Sequence, residues 1–137
     1  MATWSSGAVH WIEDCHGDTY SAAATTSTVY IAGHPHECRT VGGFSGTTPA
    51  TVYHRALAFT LAATHTLAHN TIRPYSDFGG QPAPTLRNWY PDFNTGTYTG
   101  QNQGPWSVVI AGRYVAYAGE FTRVNGKPQQ GLVRFPG

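Results

Sequence analysis

The clearest pattern along this chain is a series of short runs in which apolar side chains alternate with small or polar ones. Residues 18–24 and 28–33 read as two strands. The second, Thr28-Val29-Tyr30-Ile31-Ala32-Gly33, is β-branched and aromatic, and Thr25-Thr26-Ser27 between the two is a polar turn. Residues 55–61 are compatible with a short helix or a strand. The alternation of Ala56 and Ala58 with Leu57, Phe59 and Leu61 favours a strand. Residues 69–104 carry Pro74, Pro82, Pro84 and Pro91 among Gly and Asn residues, which predicts a long irregular excursion around one short strand near Gly96-Thr97-Tyr98. Trp106–Ala111 and Tyr114–Gly119 follow as strands about the turn Ala111-Gly112-Arg113. Asn125-Gly126 marks a hairpin turn, and Gln130–Phe135 is the last strand.

These runs repeat. Tyr20-Ser21-Ala22 matches Trp106-Ser107-Val108, and Val29–His34 matches Val115–Glu120 at the same offset. Ala56-Leu57-Ala58-Phe59 matches Leu132-Val133-Arg134-Phe135 at a shorter one, which places a length change in the connecting loop, where insertions are tolerated. Repeated antiparallel units of this size are the mark of β-propeller blades. The expectation is an all-β chain of antiparallel, propeller-like blades, about two in number, forming a single β module over residues 1–137. The first blade-like repeat covers about 11–67, an irregular linker about 68–88, and the second repeat about 89–137. The same strands also fit two unrelated hairpins of a β-sandwich. Propellers close with about 4–8 blades, and open strand edges invite pairing. Two blades therefore predict face-to-face packing, a homo-oligomer that completes a propeller, or a piece of a larger one.

The segment Glu120-Phe121-Thr122-Arg123-Val124-Asn125-Gly126, followed by Gln130-Gly131-Leu132-Val133-Arg134-Phe135, resembles the blade repeats of secreted bacterial β-propellers, of the kind found beside PKD or lectin-like modules in high-GC Gram-positive bacteria. Trp89-Tyr90-Pro91-Asp92 fits the Trp-x-Pro segment that commonly precedes such blades. The first repeat departs from the pattern, with Gly33-His34-Pro35-His36-Glu37-Cys38 where the second has Gly119-Glu120-Phe121. The resemblance implies a fold and an extracellular or cell-surface address. It carries over no catalytic residue.

Composition narrows the classes. Charged residues make up 11% of the 137, against roughly 25% in an average domain. With a single lysine, Lys127, and three glutamates, a helical bundle or coiled coil is excluded. A net charge of +1 leaves no electrostatic footprint for nucleic acid. No apolar run reaches the roughly 18 residues of a membrane helix. The start Met1-Ala2-Thr3-Trp4 lacks the basic stretch and apolar run of a signal peptide, and both ends read as cut from something longer or trimmed to a mature product.

The two cysteines, Cys15 and Cys38, fall opposite each other about a turn centred near Thr26. Cross-strand Cα separations of about 4.5–5.5 Å suit a disulfide, which would imply an oxidising compartment. Seven histidines are many for this length. The same hairpin register brings His16 and Asp18 beside His34 and His36 at its mouth, a ligand set suited to zinc or copper with a position left for water. Equally, these side chains could hydrogen-bond loop backbone around the disulfide. The carboxylates Glu13, Asp14, Asp18, Glu37, Asp77, Asp92 and Glu120 yield no selected acid–base pair. Trp4, Trp11, Trp89 and Tyr90, with Trp106 and Tyr98, are candidates for sugar-stacking surfaces, although Trp89 and Trp106 also suit core packing.

Two functions are therefore expected in competition. One is an extracellular binding or scaffold module with a carbohydrate or cell-wall ligand, with no nucleic-acid or membrane partner. The other is a small metal-dependent hydrolase at the hairpin mouth.

Overall fold

The computed structural model describes residues 1–47 and 49–137. The described residues are all-β and antiparallel, with one short 3-10 turn at Arg39–Val41. The first sheet orders β1 (Thr19–Ala24), β2 (Thr28–Gly33), β3 (Ala56–Thr66) and β4 (Pro82–Leu86) as neighbours in sequence. The second orders β5 (Pro105–Ala111), β6 (Tyr114–Gly119) and β9 (Leu132–Pro136). Between β6 and β9, β7 (Arg123–Val124) and β8 (Lys127–Pro128) form a small hairpin. Asn125 and Gly126 turn it with φ of 49° and 73°, the two positive φ angles that a tight hairpin turn demands.

The internal repeat survives down to single registers. Ser21 pairs Ala32 and Ser107 pairs Ala118; Ala24 pairs Val29 and Ile110 pairs Val115. Ala32 then pairs Ala56, as Ala118 pairs Leu132. Each first strand shifts register at the same place, between Thr19 and Ser21 and between Pro105 and Ser107. Each second strand ends on a glycine pressed against backbone. A Cβ on Gly33 would lie 2.1 Å from the Asp18 carbonyl oxygen, and one on Gly119 2.2 Å from that of Gly104. Only a residue without a side chain fits there.

The two sheets stack face to face. Tyr30, Ala32, Ala56 and Ala58 of the first sheet meet Val108, Val115 and Tyr117 of the second, with Phe93, Phe121 and Val124 filling the edges. The Tyr117 hydroxyl donates to the Ile31 carbonyl at 3.1 Å, and Ser21 Oγ accepts from the Val108 N–H at 3.1 Å. The opposite face of the first sheet, Val29, Ile31, Leu57, Phe59 and Ala83, is covered by Trp11, Val41, Leu67 and the disulfide. That makes the first sheet the middle layer, so β2 is buried along its whole length. The outer face of the second sheet has no such cover, and Val109 and Leu132 are exposed there.

Two expectations need correction. The segment 68–88 is not wholly irregular, since β4 lies in it. Pro82 and Pro84 read as breakers, yet on an edge strand a missing N–H leaves nothing unpaired and discourages further pairing. Gly96-Thr97-Tyr98 is not a strand. This loop is held instead by Glu120, whose carboxylate accepts from the Thr99 hydroxyl at 2.6 Å and from the Thr99 N–H at 3.0 Å.

Candidate functional site

Cys15 and Cys38 are bonded, with Cα atoms 4.2 Å apart. The next pair inward, His16 and Glu37, is bridged antiparallel: the His16 N–H donates to the Glu37 carbonyl at 2.7 Å and the His36 N–H to the His16 carbonyl at 2.9 Å. Gly17 then turns the chain at φ 124°, with the His34 carbonyl oxygen 2.5 Å from where a Cβ would sit. The disulfide thus closes a short, rigid frame at the mouth of the first hairpin.

Glu37 is buried, and both of its carboxylate oxygens are hydrogen-bonded. Oε1 accepts from the Arg39 N–H at 2.8 Å and from Arg39 Nε at 3.0 Å, while Oε2 accepts from the Gly46 N–H at 2.7 Å. Burial by itself would raise its pKa. The two backbone N–H groups and the guanidinium outweigh that and hold the carboxyl below its ordinary value. His16 is 4% exposed and neither ring nitrogen has a hydrogen-bond partner among the described residues. Burial lowers its pKa, against a smaller upward pull from Asp14 and Glu37, so the ring is neutral at neutral pH.

Over this frame lies the loop 69–79. The Asn70 side-chain amide donates to the carbonyls of Ile72, Tyr75 and Ser76. Asp77 accepts from His69 Nδ1 at 2.8 Å and from the N–H groups of Asn70 and Gly79, which pull its carboxyl down to about 2. The loop so held lays the Tyr75 ring on His16, centroids 3.8 Å apart and planes 17° from parallel. The Tyr75 hydroxyl reaches His36 Nε2 at 3.4 Å. Between frame and loop is a cleft of 440 Å³ lined by His16, His36, Arg39, Arg73 and Tyr75, joined at His16 to a smaller one of 150 Å³ running toward His69 and Asn70.

The four donors expected to hold a metal are divided between two places. His16 and His36 line the cleft under Tyr75. His34 faces a separate cleft with Tyr53 and Arg55, where its Nδ1 bonds the Tyr20 hydroxyl at 2.5 Å and its Nε2 lies 3.7 Å from Asp18. Among the described residues, donor atoms from three or more side chains come within 4.8 Å of one another only at Glu13, Cys15 and Cys38, where both sulfurs are committed to the disulfide. As placed, the His16, Asp18, His34 and His36 side chains do not form a zinc or copper coordination shell.

The expected stacking residues do not share a surface. Trp11 is a core residue, buried and donating its indole N–H to the Leu61 carbonyl at 2.6 Å. Trp89 packs edge-on against Tyr30 and Phe135 in the inter-sheet core. Tyr90 leans on His54 and Phe44, Trp106 on Tyr20, while Trp4 and Tyr98 stand in solvent. Tyr53 and Tyr75, neither singled out by pattern, line the clefts beside His34, His36 and His16, and Tyr98 borders a separate cleft with Glu120. Tyr53 touches both His34 and His36 edge-on. The turn residues Asn70, Asp77, Gly79 and Gly80 around Tyr75 were a usable signal of a locked loop, but not of its destination.

No helix among the described residues is long and apolar enough to cross a membrane. Compared with protein-family models, curated proteins and solved structures, the chain matches none.

Proposed function

We propose that this chain is a binding and scaffold module of an extracellular or cell-surface protein, two propeller-like blades that hold a carbohydrate or cell-wall ligand. The observation that carries the reading is the cleft at the hairpin mouth, where the half-exposed ring of Tyr75 stands beside imidazole and guanidinium groups on a disulfide-closed frame. A sugar needs this mixture: an apolar C–H face to lie against a ring, and hydroxyls to be met by planar polar groups. The disulfide supports an oxidising address. Support for the scaffold role comes from the bare outer face of the second sheet. It corresponds strand for strand to the face that the first sheet buries against its neighbour. A further blade, in a second copy of the chain or a longer assembly, docks there.

Calorimetric titration with cell-wall oligosaccharides tests the binding role. One saturable site is expected, weakened about tenfold or more by Tyr75→Ala, the equivalent of roughly 1.4 kcal/mol. No binding of any glycan, together with stoichiometric zinc or copper uptake lost in His34→Ala and His36→Ala, would move the reading to a metal-dependent hydrolase.

A further inference from the structure

Within the carbohydrate reading, on which this inference rests, we propose that the cleft under Tyr75 takes an acidic sugar, a uronate-type pyranose whose carboxylate is held by Arg73 while its hydroxyls are met by His16 and His36.

The charges in the cleft are unequal in what they have left to offer. Glu37 has both oxygens engaged by Arg39 and by backbone N–H groups. It neutralises Arg39 and has little capacity left for ligand hydroxyls. Arg73 stands on the loop side of the same cleft, exposed, and forms no ion pair among the described residues. Among the charged side chains that line the cleft one cation is therefore in excess, with the Asp14 carboxylate acting on His16 from outside the lining, and that cation is a planar fork whose geometry matches a carboxylate. A single excess charge suits a monoanion better than a phosphate dianion.

The second observation is independent of charge. Three buried ring nitrogens at this cleft have no hydrogen-bond partner among the described residues: both of His16 and Nδ1 of His36. Buried polar atoms are seldom left so, and those that are call for a partner. A neutral imidazole offers one donor and one acceptor, and a sugar hydroxyl, itself both donor and acceptor, can answer either. Neighbouring hydroxyls on a pyranose can engage several such groups at once. Tyr75 is held on one side by His16, so its orientation is set before a ligand arrives. At 440 Å³ the cleft falls within the roughly 300–1,000 Å³ of small-ligand sites.

The experiment is calorimetric titration of the whole chain with trimers of galacturonate, mannuronate and guluronate, each beside its carboxyl methyl ester. The ester keeps every ring atom and removes the charge. At least one acid is expected to bind about tenfold more tightly than its ester, a difference of roughly 1.4 kcal/mol. Arg73→Gln, on an exposed loop position, should abolish that preference with the melting temperature unchanged. His16→Phe should weaken acid and ester alike, its melting temperature being checked first; if that variant fails to fold, His36→Gln is used in its place. Equal affinity for acid and ester would overturn the acidic-sugar inference and leave sugar binding standing. Binding of neither would overturn both. A preference that persists in Arg73→Gln would also overturn the assignment.

Discussion

Phe59 and Phe135 occupy the same place in the two sheets, opposite Val29 and Val115 in the same register, yet Phe59 is fully buried and Phe135 only partly. The first three strands of the first sheet and the three of the second agree in order, in the site of the register shift and in the glycine that closes the second strand, and only the first sheet adds a fourth, β4. They differ in cover. The first sheet has the second on one face and the Trp11–Leu67 layer on the other, and the second sheet has only one neighbour. Register is thus a local property, repeated because the turn and strand sequences repeat. Burial is a property of what the rest of the chain lays beside and across a strand: β4 and the disulfide-closed layer enclose Phe59 on β3, whereas Phe135 packs into the inter-sheet core from the edge strand β9, with no further strand beyond it.

The largest effect expected from this difference is in paired truncations. Phe59→Ala should cost about 3–5 kcal/mol in denaturant unfolding and Phe135→Ala clearly less, because the cavity in the middle layer cannot relax toward solvent. Equal losses would mean that the two environments are energetically alike.

The disulfide-closed layer is the next point of attack. Cys15→Ser with Cys38→Ser reopens a 23-residue separation and should cost about 3 kcal/mol. Unreduced protein should weigh two hydrogens less than the reduced chain, and two free thiols after oxidative production would contradict the bond.

A smaller effect sits under the same layer. Burial pushes the Glu13 carboxyl up to about 7, against a backbone hydrogen bond from Cys15 that lowers it. Its unfolded value is about 4.5, so between these values the folded chain binds the extra proton. Stability from this group is complete below about pH 4.5 and is lost as the pH rises through about 7. The difference between wild type and Glu13→Gln should show that slope, at most about 3 kcal/mol over the interval. No difference in slope would place Glu13 in contact with water.

The smallest change in fold stability belongs to the bare face. Val109→Lys with Leu132→Lys should alter unfolding by no more than about 0.5 kcal/mol, both side chains being exposed. Association should respond instead. Sedimentation at micromolar concentration is expected to give a multiple of 14.8 kDa for wild type and 14.8 kDa for the variant. A monomeric wild type would remove copies of this chain as the occupant of that face.

Much of this molecule is decided within short stretches of sequence. The strands around Thr25-Thr26-Ser27 and Gly112-Arg113, the Asn125-Gly126 turn, the repeat and the pairing of Cys15 with Cys38 all follow from alternation and turn chemistry acting over a few residues. What those stretches could not determine is where side chains outside a regular ladder go. Pro82 and Pro84 are breakers in a central strand and harmless on an edge, and only the assembled sheet makes theirs an edge. The histidines show the same limit. The register shift at Tyr20 and its return before Glu37 break the simple facing of His16 and Asp18 with His34 and His36, because one extra residue reverses which face a side chain points to. His34 is thereby given to Tyr20 and Asp18, and His16 is left beneath Tyr75, more than fifty residues away in the chain. Strand pairing is set by backbone hydrogen bonds between near neighbours. The cleft depends on which distant loop comes to rest on the hairpin mouth, and that is settled only when the whole chain has packed.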